Sequence, residues 1–224
     1  MHIATTRRSW GRVLGIGFRV LVPVVFLGAA VPAGPAFPEV LVNELMADPA
    51  GDWDGDALYN SRDDEWVEIV NTGPGAVALE EYRLAGADTS WRYEFSGSLA
   101  VGEVAVVYGS QSYAWEQANG APLYGLRLAN TGGAIVLWHV AGGDSAIVDQ
   151  VTYADHEAED NRSSGRLPDG SGTWALFDAL NPYSGSAEPV GSGCEPSPGE
   201  TVICTVPVER GTWGGLKRAY TGGR

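Results

Sequence analysis

Twelve residues early in the chain hold its clearest opportunity for chemistry. Asp52, Asp54, Asp56, Asn60 and Asp63 stand at positions one, three, five, nine and twelve of the stretch 52–63, and Leu58 offers a backbone carbonyl at position seven. Calcium takes about six to eight hard oxygen ligands, and this spacing lets one short loop wrap the ion. Two positions depart from the pattern. The sixth, where glycine makes the sharp turn, is Ala57, which bears a steric cost at positive φ. The twelfth is Asp63 in place of a bidentate glutamate, and a small slip in register would substitute Asp64 or Glu65. The competing reading is a solvated acidic turn. Three acids alternating around Gly55 repel one another without a counter-ion, however. One calcium ion (Ca2+) held by Asp52, Asp54, Asp56, Leu58, Asn60 and Asp63 is therefore the expectation.

Other chemistry is sparse. No Gly-x-Ser-x-Gly elbow, His-Glu-x-x-His helix or phosphate-binding Gly-Lys-Ser/Thr occurs. His139 lies in an apolar run and reads as a surface or satisfied histidine, whereas His156 sits in an acidic stretch where a second cation site is conceivable. Cys194 and Cys204 are close in sequence with no further ligands around them, so they read as a disulfide. Eight Trp and nine Tyr are enough for a sugar-binding face, although in a β-sandwich such residues more often fill the core.

The elements that position these residues are short strands. Runs at 40–46, 64–71, 77–84, 91–95, 103–108, 134–140 and 146–153 are apolar or alternating, and glycine-rich turns such as Asn130-Thr131-Gly132-Gly133 separate them. In the second run Trp66, Glu68 and Val70 share one face while Val67 and Ile69 take the other. This series predicts an antiparallel β-sandwich or barrel, with helix limited to a turn or two near 113–117.

The two ends differ from the middle. Arg7, Arg8 and Arg12 precede an apolar stretch at 20–27 and a small-residue run ending at Ala36, the parts of a secretory signal. Cleavage after Ala30, Ala33 or Ala36 fits equally well. A membrane anchor is the alternative, but Arg19 and three prolines interrupt the segment. Arg7-Arg8 is also a faint match to a twin-arginine export signal. Four of the 14 Lys and Arg precede residue 37 and none of the 28 Asp and Glu does, which leaves 10 against 28, a net −18. Such a charge opposes nucleic acid and anionic membrane and favours cations. The division expected is a signal peptide at 1–36, a sandwich at 37–184, a Ser/Gly/Pro-rich linker at 185–207 carrying the cysteine pair, and a basic tail at 208–224. Trp213, Leu216 and Tyr220 give the tail a brief amphipathic spacing, either frayed or a docking peptide.

Several motifs in order resemble a known family. Val42-Asn43-Glu44-Leu45-Met46-Ala47-Asp48-Pro49 followed by Asp64-Glu65-Trp66-Val67-Glu68-Ile69-Val70-Asn71 is similar to the opening of bacterial lamin-tail domains. The stretches 79–84, 130–137 and 149–153, then Gly165-Arg166-Leu167-Pro168-Asp169-Gly170 and Asn181-Pro182, continue the likeness over roughly 39–183. The resemblance implies an all-β fold, an immunoglobulin-like antiparallel β-sandwich of lamin-tail type, used as a scaffold and without catalytic residues. It also implies that a dockerin- or EF-hand-like calcium loop is at home between the first two strands. The basic surfaces proposed for nucleic-acid contact in nuclear members have no counterpart in this acidic chain. The expectation is an exported, non-catalytic structural or interaction module, stabilised by calcium, with a protein or glycan partner at the cell surface and no stable membrane span after signal cleavage. The alternatives are an accessory domain of a secreted hydrolase system and a carbohydrate-binding sandwich.

Overall fold

The computed structural model describes residues 40–170, 173–202 and 204, so the expected signal segment and basic tail lie outside the described residues. In chain order the strands are β1 (Val40–Met46), β2 (Trp66–Asn71), β3 (Val77–Ala78), β4 (Tyr82–Gly86), β5 (Trp91–Glu94), β6 (Ser98–Leu99), β7 (Val104–Tyr108), β8 (Gly132–Ala141), β9 (Asp144–Ala154), β10 (Ser163–Leu167) and β11 (Thr173–Phe177). Helix α1 (Gly109–Asn119) follows β7, and short 3-10 turns occupy Leu79–Glu81 and Asp155–Glu157. One sheet has the order β11-β10-β1-β2-β7 and the other β5-β4-β8-β9, with β3-β6 as a small third ribbon. The named strand pairs are all antiparallel. This is an all-β, immunoglobulin-like sandwich.

The core lies between the two larger sheets. Val40, Val42, Leu45, Val67, Ile69 and Val107 meet Leu84, Ile135, Leu137, Val151 and Tyr153 there. Val42 and Leu45 are three residues apart, which would put them on opposite faces of a regular strand. A bulge between Val42 and Glu44 removes the conflict. The bulged backbone keeps its partners: Val42 N–H donates to Asp149 Oδ2 at 2.9 Å, and Arg166 Nε donates to the Val42 carbonyl at 2.9 Å. A consequence is that Glu44 faces away from the core, directly opposite Glu68 of β2.

That outer face is covered rather than open. Met46, Trp66, Glu44 and Glu68 are all fully buried. The cover is chain from the region expected to be a linker. Ser192 N–H donates to the Leu176 carbonyl, Gly193 N–H to Asp178 Oδ1, and Ala179 N–H to the Cys194 carbonyl. Ser197 and Gly199 then reach the acids of the sheet. The linker expectation rested on low apolar content. The stretch is ordered instead through backbone N–H donors meeting buried carboxylates, and Cys194 itself is fully buried. The Cys194–Cys204 disulfide is formed, with Cα atoms 4.3 Å apart. Helix α1 is longer than the turn or two expected, and β6, β10 and β11 were not anticipated as strands. Among the described residues no helix is long and apolar enough to cross a membrane.

Candidate metal centre

The loop joining β1 to β2 holds the acids singled out in the sequence. Asp52 acts as its first pin: Oδ1 accepts from Gly55 N–H and Oδ2 from Ala57 N–H, each at 2.8 Å. Asp54 accepts from Asp56 N–H and Asp56 from Leu58 N–H, so each aspartate turns the chain two residues on. Gly55 and Ala57 both take positive φ, 78° and 70°. Ala57 thus adopts the left-handed turn that favours glycine at position six.

Asp64 closes the loop, not Asp63. Its carboxylate is fully buried and accepts from Trp53 N–H at 2.6 Å, Asp54 N–H at 3.1 Å and Asn60 N–H at 2.8 Å. Asp63 instead accepts from the Asn60 side-chain amide at 2.7 Å. Burial and the neighbouring charges of Asp54, Asp64 and Asp56 push the Asp63 carboxyl above its usual range. Glu65, the other slip candidate, is engaged elsewhere, accepting from Leu128 N–H at 2.9 Å.

Of the six residues proposed from sequence, the structure brings Asp52 and Asp54 together and adds Asp64. One carboxylate oxygen from each lies within 4.8 Å of the others. Oxygens bound to one calcium sit about 2.3–2.6 Å from it, so two of them can be no more than about 5 Å apart. The trio fits that limit without rearrangement. Asp64 uses three of about four acceptor positions on its backbone donors and keeps capacity for an ion. Asp56 and Asp63 are outside this group; Leu58 and Asn60 are exposed on the same loop. The signal for Asp64 was present in the run Asp63-Asp64-Glu65, where spacing alone could not choose among adjacent acids.

The loop is fixed at both ends. The Trp53 ring packs on Trp66 of the sheet at 6.2 Å between centroids, and its indole N–H donates to Asn161 Oδ1 at 2.9 Å. At the exit, Gly109 N–H donates to the Glu65 carbonyl and Ser110 N–H to the Asp63 carbonyl, so the start of α1 grips the loop's last residues.

The outer face of the five-stranded sheet holds a second acidic group that sequence reasoning missed. Glu44 Oε1 accepts from Ser163 Oγ at 2.5 Å and Ser197 N–H at 3.2 Å, and Oε2 from Ser197 Oγ at 2.9 Å. Glu68 accepts from the Asn43 amide at 2.6 Å and Gly199 N–H at 2.7 Å. Burial, opposed by the serine bonds and aided by the Glu68 charge, pushes the Glu44 carboxyl up to about 8. Burial likewise pushes Glu68 to about 7, against the bonds from Asn43 and Gly199. Nothing in the spacing of Glu44 and Glu68 marks them as neighbours; the β1–β2 register does.

His139 and His156 each have their own partners. His139 Nε2 lies 2.9 Å from Glu81 Oε2 at the surface. His156 packs against the Tyr183 ring and lies within 3.3 Å of the Pro189 carbonyl, and no cation cluster forms around it among the described residues.

No curated protein matches the chain. A model of the Lamin Tail Domain matches residues 33–155, which takes in β1 to β9 and the acidic loop but neither β10, β11 nor the covering segment. That match spans more than half of the 224 residues. The chain belongs to the lamin tail domain family, whose members are non-catalytic immunoglobulin-like modules.

Proposed function

We propose that this protein is an exported structural or interaction module whose β1–β2 loop binds one calcium ion. The observation that carries the calcium reading is the meeting of Asp52, Asp54 and Asp64 within 4.8 Å on a loop whose backbone is already turned around them. The ion would offset the repulsion among these carboxylates, with loop carbonyls and water completing its shell of about six to eight oxygens. Export is supported by the basic-apolar-small order of residues 1–36 and by the Cys194–Cys204 disulfide, since such bonds persist in oxidising compartments. The ion's role is mechanical. It ties the loop's first turn to Asp64 at the edge of β2 and so stiffens one end of the sandwich. Function then lies in what the surface holds, because a sandwich fold by itself specifies no ligand.

Equilibrium dialysis against labelled calcium tests this. One ion per chain is expected, and binding should be lost in both Asp54→Ala and Asp64→Asn. Binding retained in both variants, or absent from the parent protein, would overturn the proposal.

A further inference from the structure

A groove of about 530 Å³ runs between α1 and β5, at the edge of the four-stranded sheet. Gln111, Trp115 and Asn119 recur every fourth residue along α1, which stacks them on one helix face lining the groove. On the facing side the half-buried Tyr93 ring meets Phe95 edge to face at 5.2 Å; Phe95 is buried in the core, so Trp115 and Tyr93 supply the aromatic surface a ligand can reach. Glu80 and Glu94 also line it. The walls are tied together. Buried Ser112 Oγ donates to the Arg92 carbonyl at 2.7 Å, tying α1 to β5. Glu116, fully buried on the same helix, accepts from Tyr124 and Gly125 N–H.

The polar groups of the groove keep unused capacity. The Trp115 indole N–H and the Tyr93 hydroxyl make no hydrogen bond among the described residues. Gln111 gives its carbonyl oxygen to Tyr108 N–H and keeps its amide donors. Asn119 gives its amide to the Trp115 carbonyl and keeps its oxygen. Glu80 and Glu94 each use one oxygen, on Gly97 N–H and on Arg83. The lining therefore offers donors and acceptors beside the partly exposed Trp115 and Tyr93 rings, and it contains no cation.

We propose that this groove binds a neutral oligosaccharide. A pyranose ring presents C–H groups on its faces and hydroxyls around its rim. The C–H groups suit the electron-rich face of an aromatic ring, and the hydroxyls both donate to carboxylates and accept from indole and amide N–H. The volume lies within the range of small-molecule sites. Two carboxylates in the lining and the net negative charge of the chain turn away acidic sugars and acidic peptides. The proposal gives the interaction module a ligand class and so rests on that reading, but it uses no residue of the calcium loop.

The test is calorimetric titration of the intact, disulfide-bonded protein with cellotetraose, maltotetraose and chitotetraose, and with tetragalacturonate as the anionic comparison. At least one neutral tetrasaccharide should bind with a Kd on the order of 1 mM or below. Trp115→Ala should weaken that binding by about tenfold or more, and tetragalacturonate should bind at least about tenfold more weakly than the neutral sugar. If Trp115→Ala does not fold, Asn119→Ala, at an exposed position, carries the same prediction with a smaller loss. No binding of any neutral sugar at about 10 mM, equal binding by the folded variant, or equal affinity for the uronate would overturn the proposal. A protein that responds to calcium but binds no sugar would sink the groove assignment alone and leave the module reading in place.

Discussion

Replacing Glu44 by glutamine should change how stability depends on pH. In the folded chain burial raises the Glu44 carboxyl from 4.5 to about 8, so the folded state holds its proton more tightly than the unfolded state. Protonation therefore favours folding. The stability this group contributes is full below pH 4.5 and is lost as pH rises toward 8. Within that window each pH unit costs about 1.4 kcal/mol. Between pH 5.5 and 7.5 the loss attributable to Glu44 is about 3 kcal/mol, or roughly 5–10 °C in Tm for a domain of this size. Glu68, raised to about 7, adds a slope of the same sign up to that pH. Groups with the opposite behaviour act elsewhere. Asp88, held below its usual range by Ser90 and Arg92 despite partial burial, loses its contribution only as pH falls below the ordinary carboxylate range. Glutamine keeps the shape and the acceptor that Ser163 and Ser197 N–H use, and its amide can donate to Ser197 Oγ where Glu44 accepted. Urea unfolding of parent and variant in chelator at several pH values from 5.5 to 7.5 reads the effect. The variant should lose about 3 kcal/mol less than the parent across that range. Parallel curves would refute the reasoning, because they would mean that Glu44 is not sealed beneath the 192–202 segment.

Three further perturbations follow from particular contacts. Gly109→Ala places a Cβ against the Arg62 carbonyl oxygen where the helix grips the acidic loop, and should cost about 2–3 kcal/mol by denaturant unfolding, with weakened calcium binding. Reducing Cys194–Cys204, which closes a loop with a sequence separation of 10, should cost about 2.5–3 kcal/mol. Reduction should also flatten the pH dependence above, because the freed segment unseals Glu44 and Glu68. Ala57→Gly relieves a non-glycine residue at φ 70° and should raise the calcium-free Tm by the equivalent of about 1 kcal/mol, read by calorimetry in chelator.

Much of the sandwich was legible because its strands alternate. Val67 and Ile69 face inward, and Trp66 and Glu68 outward, as their period of two requires. The grouping of the first loop acids was legible because it is local: Asp52 and Asp54 lie two residues apart and both pin turns of the same short stretch. The closing residue was not, since three consecutive acids satisfy the spacing about equally and only the bonds that Asp64, just ahead of β2, accepts from Trp53, Asp54 and Asn60 N–H select it. The outer-face acids were hidden for a different reason. Glu44 and Glu68 become neighbours through a bulge at Asn43, and bulges leave little trace in hydrophobic periodicity. Ser163-Ser164-Gly165 carries too little apolar content to announce β10, and the strand is held by its pairing with β1 and β11. The covering segment was invisible because its order comes largely from backbone donors on Ser197 and Gly199, joined by the small Ser197 hydroxyl, and none of these leaves an apolar signal.

The central claim is that the β1–β2 loop is a calcium site. Its most direct test is a thermal melt at fixed pH of protein stripped with chelator and then titrated with calcium, beside Asp54→Ala. An ion that binds only the folded form adds about 2.7 kcal/mol at a hundredfold excess over its Kd, which is roughly 5–10 °C in Tm here. The account predicts that rise in the parent protein and none in the variant. An unchanged Tm in the parent, or an equal rise in both, would contradict it and leave the loop as an acidic turn closed by Asp64 alone.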